Sequence, residues 1–332
     1  MSGGSVAAGG AEAAPAGSSL GEGRDAKAFH RKVFIGLAIA LLAAPFLLYP
    51  VFLMKVLCFA LFASAFNLLL GFGGLMSFGH AAYFGLASYL SAHAAKVWGL
   101  PPELAILTGM AAGTLLGVAF GWLAIKRTGI YFAMITLALS QMVFFFSVQA
   151  KFTGGEDGIQ AVPRGHLLGL LDLSNDRVLY YVVAAIFLFG LLAMYRIIHS
   201  PFGQVMKSIR DNEPRAISLG YRVDHYKLAL FVMSTALASL AGATKAIVFQ
   251  LASLTDVHWA MSGEVVLMTL VGGLGTVFGP AVGAAVIVTM ENYLATLGAW
   301  VLVVQGFIFV LCVLLFREGV VGVIAKKLKR PL

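Results

Sequence analysis

The sequence predicts an all-α polytopic integral membrane protein with eight to ten transmembrane helices, some of them broken at glycine or proline, and a candidate internal repeat. Of its 332 residues, 60% are hydrophobic and only 11% are charged, whereas about 25% of the residues of a soluble domain are charged. The mean hydropathy of +0.92 excludes a water-soluble globule and a disordered chain. The 38 glycines exceed ordinary usage, and membrane helices tolerate them because small residues let backbones approach closely.

Charged residues divide the chain into apolar runs. A helical span needs about 20 apolar residues, so the long run at 56–95 holds two crossings. Helices are favoured over a barrel because no alternating strand pattern is present. Residues 263–316 must cross an odd number of times if the total is even, and three short or broken segments fit their length better than one. The runs are 33–54, 56–95, 104–125, 128–150, 178–195, 228–244, 265–290 and 292–316.

The basic residues predict the orientation. Residues 1–32 are expected to form a disordered cytoplasmic tail, rich in Gly, Ala and Ser and ending in a basic cluster, followed by a membrane domain over 33–318 and a basic cytoplasmic tail over 319–332. The tail is not a signal peptide, because no apolar core precedes a cleavage site. With both termini inside, most Lys and Arg lie on the cytoplasmic side, as the positive-inside rule requires.

The net charge of +8 follows from this topology, so nucleic acid is not needed as a partner. A basic inner face would instead meet the anionic lipids of the bilayer. Residues 151–177 then form a periplasmic loop, and residues 199–226 form the longest charged cytoplasmic loop.

The cytoplasmic loop 199–226 has a helical pattern. Apolar residues at i, i+3, i+4 and i+7 from Phe202 predict one short amphipathic helix. Pro214 is suited to begin a second, with Asn212 or Glu213 as its cap and Gly220 as its stop. One interpretation is a connector lying on the lipid surface; the other is a docking element for a cytoplasmic partner. The proline–glycine frame and the acids among the basic residues favour docking.

Two glycine-rich segments interrupt apolar runs in the two halves of the chain. They are similar, with GGLMSFG at 73–79 and GGLGTVFG at 272–279. Paired breaks of this kind indicate broken helices at a substrate path, whose exposed helix amino ends would favour a carboxylate; the alternative is close packing through small residues. The residues predicted to line the path are Asn67, Gly73, Gly74, Ser77, Gly79, His80, Thr136, Gly272, Gly273 and Gly275.

A third glycine cluster, TGGEDGI at 153–159, begins the periplasmic loop. Gly154, Gly155 and Gly158 either form a turn at a helix end or frame an outer mouth where a delivery protein docks. For His80, a satisfied hydrogen bond is favoured over a ligand role. The charged residues Lys245, Glu264 and Glu291 are expected to snorkel from span ends, because a charge at the bilayer centre is costly.

No catalytic or metal-binding constellation is found in the sequence. HExxH, GxSxG and CxxC motifs are absent, and the two cysteines lie in apolar runs. The segment GQVMKS at 203–208 lacks the second glycine of a phosphate loop. The sequence therefore predicts no catalytic residue, no metal site and no cofactor. The spans also lack a chain of carboxylates or histidines, which argues against a proton-driven carrier.

Five blocks in order carry a family resemblance. They are GFGGLMSFGHAAYFGLASYLSA, GIYFAMITLA, TGGEDGI, SPFGQVMKSIRDNEPRAISLGY and GGLGTVFGPAVGA. Over roughly 33–320 the chain closely resembles the branched-chain amino-acid ABC transporter permeases of the LivM type.

The resemblance implies an importer in a bacterial inner membrane. This chain would be one of two permease subunits, beside a LivH-like subunit in a heterodimer, with two cytoplasmic ATPase subunits and a periplasmic substrate-binding protein. Residues 210–220 resemble the EAA-type segment that seats in a groove of the ATPase. Glu213, Ala216 and Gly220 match that pattern, whereas Pro214 stands where Ala or a similar helix former is more usual. The implied coupling residues are Arg210, Asp211, Glu213, Pro214, Arg215, Ala216 and Gly220.

Three other functions stay open at the level of sequence. An importer of urea or short-chain amides would have a similar permease, because the delivery protein largely sets selectivity. A secondary carrier or channel with inverted repeats would work without partners, although the sparse charge within the spans disfavours it. A membrane-embedded enzyme would need a clustered nucleophile, base or metal ligand set, which the sequence does not provide.

Overall fold

The computed structural model describes residues 18–167, 169, 171–294, 300, 303, 304, 306, 307, 310, 319, 321 and 322, with side chains from residue 31 onward. The predicted tail at 1–17, most of the predicted tail at 319–332 and much of the predicted last span lie outside the described residues.

The described part of the chain is mostly helical. The helices are α1 (Ser18–Leu47), α2 (Pro50–Asn67), α3 (His80–Lys96), α4 (Pro102–Ala124), α5 (Ile130–Gln149), α6 (Asp176–Ile198), α7 (Pro201–Asp211), α8 (Glu213–Ser218), α9 (Val223–Phe249), α10 (Trp259–Gly272) and α11 (Gly279–Leu294). A π-helical turn covers Leu68–Phe72, and 3₁₀ turns cover Lys151–Thr153, Gly155–Asp157 and Leu254–Asp256. The strands are β1 (Ile159–Gln160), β2 (His166–Leu167), β3 (Leu171–Asp172) and β4 (Leu251–Ala252).

The fold class is confirmed. Among the described residues, five helical segments are long and apolar enough to cross a membrane, and α10 is a shorter apolar helix. The five are Pro50–Phe72, Pro102–Ala124, Ile130–Gln149, Asp176–Ile198 and Val223–Phe249.

The first helix corrects two expectations. α1 begins at Ser18, so residues 18–32, predicted as a tail without regular structure, are helical. The Ala, Lys and Arg residues of 24–32 are good helix formers and extend the helix of the first apolar run towards the amino terminus. The run at 33–54 is also shared by two helices, because Pro50 opens α2 and Tyr49 before it is extended.

The long helices alternate in direction between two ends of the bundle. The basic end holds residues 126–127 and 196–227, and the opposite end holds 151–175 and 250–258. α11 finishes at the opposite end, where Glu291 lies 3.8 Å from Lys55. Gly319 packs on Gly273 at the basic end. The predicted number of eight to ten spans stays a prediction, because residues 295–299 and most of 301–318 lie outside the described residues.

The centre of the bundle is packed through small residues on α3, α4 and α9. A Cβ added at Gly109 would lie 2.5 Å from the carbonyl oxygen of Ala87, and one added at Gly113 would lie 2.8 Å from Cβ of Ser239. A side chain at either position would force two helices apart, so the glycines permit the close approach.

Candidate functional site

The two glycine breaks lie in direct contact at the basic end. The side chain of Asn67, at the end of α2, donates from Nδ2 to the carbonyl oxygen of Thr276 at 2.8 Å. Its Oδ1 accepts the backbone N–H of Gly275 at 3.0 Å. A Cβ added at Gly71 would lie 2.6 Å from the backbone nitrogen of Gly275. One amide side chain therefore joins the segments that the sequence identified as similar.

The first break runs from the π-helical turn to the start of α3. Gly74 has a φ of +69°, which favours glycine. The hydroxyl of Thr136 on α5 accepts the backbone N–H of Phe78 at 3.2 Å, and the buried hydroxyl of Ser77 accepts that of Gly79 at 3.2 Å. A Cβ at Gly79 would lie 2.8 Å from the Thr136 carbonyl. This extended segment is therefore held against α5.

The second break runs from Gly273, at the end of α10, to α11. Gly273 and Gly275 have φ values of +122° and +73°. Thr276 donates its hydroxyl to the Gly273 carbonyl at 2.8 Å, and that hydroxyl accepts the N–H of Gly279 at 3.1 Å. Gly272 packs on the backbone of Gly279. Sequence analysis missed Thr276, although threonine is one of the residues preferred for capping the amino end of a helix.

His80 bridges three helices inside the bundle. Its side chain is fully buried, and Nε2 lies 2.9 Å from the hydroxyl of Ser234 on α9. That hydroxyl donates to the carbonyl of Ala65 on α2 at 2.6 Å, so Nε2 must carry the hydrogen. The ring of Phe66 meets the imidazole edge to face at 5.1 Å. His80 is therefore a core residue whose Nε2 is hydrogen-bonded, as favoured from the sequence, whereas its buried Nδ1 has no hydrogen-bond partner in the described part of the chain.

The amino end of α3 is occupied by another side chain. The N–H of Ala81 donates to the hydroxyl of Ser262 on α10 at 3.0 Å. This helix end was predicted to favour a carboxylate, but one of its backbone N–H donors is already bonded to Ser262. Near the break, a cavity of about 410 Å³ is lined by residues that include the predicted path residue Gly74, with Leu75, Phe78 and Ala133.

The predicted pair of short helices is present in the charged loop. α7 begins after Ser200, whose hydroxyl accepts the N–H of Gly203 at 3.2 Å. α8 begins after Asn212, whose Oδ1 accepts the N–H of Arg215 at 3.1 Å. Of the two candidate caps, Asn212 therefore fills the role. Gly220 follows α8 with a φ of +86°, as expected for a glycine stop.

α7 packs on the bundle through its apolar face. Met206 and Ile209 are buried, and the ring of Phe202 stacks on Tyr226 of α9 at 5.6 Å. Burial, and to a smaller extent the charge of the neighbouring Arg210, lowers the pKa of Lys207 on the same helix. The amphipathic pattern thus fixes which side of α7 faces the protein.

One ion pair and one charged hydrogen bond fasten the loop to the bundle. Nζ of Lys227, which is nearly buried on α9, lies 2.6 Å from Oε1 of Glu213. Arg210 donates from Nη1 to the carbonyl oxygen of Gly71 at 2.7 Å, and its guanidinium also contacts Asp211 at 3.1 Å. Sequence analysis missed Lys227, because a lysine at the start of a span carries no local sign of its partner.

Large apolar side chains are exposed at the end of α8 and just after it, although they lie in a charged loop. Ala216 is buried, whereas Ile217 and Leu219 are 57% and 68% exposed and Tyr221 is 40% exposed. The exposed face therefore comprises Ile217 near the end of α8, with Leu219 and Tyr221 directly after the helix. The ring of Tyr221 also meets Tyr226 of α9 edge to face at 6.1 Å. Of the predicted coupling residues, Asp211, Pro214 and Arg215 are also exposed.

The third glycine cluster lies at the opposite end and does not join the breaks. Gly154, Gly155 and Gly158 have φ values of +80°, +63° and +67°. Gly158 packs on the carbonyl of Ala252, where β1 and β4 pair with Ile159 opposite Ala252. The cluster forms the turn that brings the two loops of this end together; its role as a mouth stays a prediction.

Lys245 does not snorkel. Its Nζ lies 2.6 Å from Oδ2 of Asp256, in the 3₁₀ turn after β4, and the two side chains are 11% and 3% exposed. The expectation fails because the chain folds back and supplies a buried carboxylate. Glu291 pairs with Lys55 at 3.8 Å, and Glu264 has one buried oxygen that lacks a hydrogen-bond partner in the described part of the chain.

These features define a multi-pass membrane protein with two joined helix breaks and an ordered charged loop. Residues 50–313 match the family described as branched-chain amino acid transport system, permease component. The chain belongs to this family.

Curated relatives include transport permeases for different solutes. The chain is 26% identical over 285 residues to the high-affinity branched-chain amino acid transport system permease protein LivM of Salmonella typhimurium, which covers 79% of this chain and 65% of that protein. It is 29% identical to the ribose import permease protein RbsC of Bacillus subtilis, over 67% of this chain and 70% of that protein. A third, the xylose transport system permease protein XylH of Haemophilus influenzae, is 28% identical over 44% of this chain and 42% of that protein. No solved structure gives a significant match.

Proposed function

We propose that this chain is the permease subunit of an ATP-binding-cassette importer that moves branched-chain or other hydrophobic amino acids across a bacterial inner membrane. It would pair with a second, LivH-like permease subunit and take its substrate from a periplasmic binding protein. Two cytoplasmic ATPases would hydrolyse ATP, and the chain itself would do no chemistry. The matched family and the LivM relatives support the substrate class.

The proposal includes an orientation. The basic end, with the loop 199–226, would face the cytoplasm together with both termini, and the loop 151–177 would face the periplasm. The excess of Lys and Arg at the basic end supports this arrangement. The membrane domain would then cover 33–318 and the cytoplasmic tails 1–32 and 319–332.

The exposed face formed by Ile217, Leu219 and Tyr221 carries the proposal. These three large side chains are exposed at the end of α8 and just after it, in a loop that is fastened to the bundle on its other side. A connector would have no need for such a fixed support, whereas a docking element needs both an apolar face and rigid attachment. ATP-driven closure of the partners would move the loop and shift the membrane part between two states.

Substitution of the exposed face tests the coupling role. Leu219→Asp should keep the chain in the membrane, because the side chain is exposed, and should abolish co-purification of the ATPase subunits and ATP-driven uptake. The matched control is Gln204→Asp, which adds the same charge on the exposed side of α7. Wild-type co-purification and uptake in Leu219→Asp would contradict the proposal.

Glu213 is a poorer test position than its exposure suggests. Glu213→Lys would set two ammonium groups beside each other at the site of the contact with Lys227. Loss of transport in that variant would then follow from a displaced loop as well as from lost docking. Variants of the exposed face separate the two causes.

Sugar import is the second candidate, because RbsC and XylH are among the relatives. Uptake of labelled leucine by vesicles that contain the complete importer should be reduced by unlabelled leucine and isoleucine. Ribose, xylose and urea should have no effect. Competition by one of these three instead would reassign the substrate while leaving the ATP-driven mechanism intact.

A further inference from the structure

The loop 199–226 and the two helix breaks are joined by side-chain hydrogen bonds and one turn of helix backbone. Arg210, at the end of α7, reaches the carbonyl oxygen of Gly71 in the first break at 2.7 Å. Asn67, one turn before Gly71, holds Gly275 and the carbonyl of Thr276 in the second break. Two steps join residues that are 139 and 208 positions apart, and the step from Gly71 to Asn67 runs through one turn of backbone.

The carbonyl of Gly71 is free for Arg210 because the helix changes its hydrogen-bond pattern there. In a regular α-helix the N–H of Leu75 would donate to this oxygen. Here the N–H of Leu75 donates to Leu69 at 3.2 Å instead, at the end of the π-helical turn. π-Helical turns are often found at functional sites.

The first break also has room for the side chain of Arg210. A Cβ added at Gly74 would lie 2.8 Å from Cγ of Arg210, and Gly74 has a φ of +69°. The aliphatic part of Arg210 therefore lies over a position where both the backbone conformation and the available space favour glycine. The guanidinium remains partly exposed and is oriented by Asp211 at 3.1 Å.

We propose that Arg210 and Asn67 are positioning residues that act in series, so that movement of α7 is transmitted through Gly71 to the second break at Gly275. The proposal rests on the proposed function, because it takes the partner ATPases as the source of the movement. Side-chain contacts to backbone groups suit this role, since they can shift without unfolding α2, α10 or α11. The junction would open and close the path at the basic end.

The functional experiment compares uptake with ATP hydrolysis in proteoliposomes that contain the complete importer. With uptake and ATP hydrolysis both measured per assembled complex, Arg210→Met should lower uptake per ATP hydrolysed by about tenfold, as expected for loss of a charged hydrogen bond from the working state. Arg210→Lys, which can still reach one carbonyl, should restore part of the loss. The control Arg196→Met removes an equal charge from the exposed surface at the same end.

Two results would overturn the proposal. One is wild-type uptake per ATP in Arg210→Met. The other is a parallel loss of assembly, ATP hydrolysis and uptake that Arg210→Lys does not relieve, which would mark Arg210 as a brace for folding only. If the wild-type complex shows no ATP-dependent uptake at all, the proposed function fails instead.

Hydrogen exchange tests the link without reference to transport. Arg210→Met should speed amide exchange in the peptide around Gly71 and also in the peptide around Gly275, although Arg210 touches only the first. Asn67→Leu should speed exchange at Gly275 directly, because that N–H loses its acceptor. Faster exchange confined to the first break in Arg210→Met would show that the two breaks are not linked in series.

Discussion

The two ends of the helix bundle are held by different kinds of contact. At the opposite end, the loop after α9 is fixed by a buried ion pair between Lys245 and Asp256, and a capping box joins Ser253 to the same aspartate. At the basic end, Asn67 and Arg210 hold backbone groups that two helix breaks have left free. The opposite end relies on a pair of desolvated charges, whereas the junction of the two breaks at the basic end relies on exchangeable backbone contacts. The ion pair of Lys227 at the basic end differs from that of Lys245, because its partner Glu213 is 35% exposed.

The difference indicates where the molecule can move. A buried ion pair cannot open cheaply, because each separated charge would lie in a medium of low dielectric constant. A carbonyl released by an arginine at a partly exposed site can be satisfied by water. The comparison therefore places rigidity at the opposite end and adjustable contacts at the basic end, where the proposed driving partner would bind.

The largest expected effect concerns the ion pair. Lys245→Met should destabilise the chain by about 3–5 kcal/mol, because Asp256 would stay buried without its partner. Lys245→Met combined with Asp256→Asn should recover most of the loss, since no unpaired charge remains. Thermal unfolding in detergent micelles measures both. Equal midpoints for the single and double variants would contradict the assignment of rigidity to this pair.

A smaller effect is expected where α10 and α11 meet beside the second break. Gly283→Ala would push a methyl group into the backbone of Met268 and Gly272, and overpacking of this kind costs about 1–3 kcal/mol. The matched control is Gly263→Ala on α10, where nothing lies within 4 Å of an added Cβ. That variant should be neutral or slightly stabilising. Similar unfolding midpoints for the two variants would refute the close packing.

The next largest effect on stability is expected within the loop 199–226 alone. Asn212→Ala removes the cap of α8 and should cost about 1 kcal/mol of helix stability. It should raise amide exchange in α8 and leave the midpoint of thermal unfolding nearly unchanged, because the bundle does not depend on this helix. A large fall in the midpoint would mean that the loop is part of the rigid body.

The smallest effect lies in the exposed hairpin of β2 and β3. The backbone and side chain of Ser174 hold the pKa of Asp172 below its usual range. A carboxyl group with a lowered folded pKa stabilises the fold above its unfolded pKa, and this stabilisation is lost as the pH falls through the folded value. The protection of the hairpin amides against exchange should therefore fall at acid pH. Asp172→Asn should remove this dependence on pH. Persistence of that change in the variant would assign it to another group.

Local patterns predicted much of the site. The proline, the glycine stop and the apolar spacing in residues 199–226 predicted α7 and α8, because caps and helix periodicity depend on neighbouring residues. The similarity of the glycine segments predicted two breaks at corresponding places. The roles of the predicted path and coupling residues are still to be tested.

Partners distant in sequence were not predictable. Ser234, Ser262 and Lys227 are ordinary residues of apolar spans until the helices pack, and only then do they meet His80, Ala81 and Glu213. Lys245 was expected to snorkel because its pairing carboxylate comes from the following loop. Each of these contacts depends on the arrangement of helices, which the hydropathy of single segments does not specify.

The sequence by itself determined the membrane class, the places of the main helices and the positions of the breaks, because hydropathy, proline and glycine act over a few residues. Tertiary structure alone decided that the two breaks meet and that Arg210 reaches Gly71, 139 residues away along the chain. The same is true of Asn67 and Gly275, which are 208 residues apart. The physical reason is that a helix break leaves backbone groups unsatisfied, and only the packing of distant helices determines which side chain satisfies them.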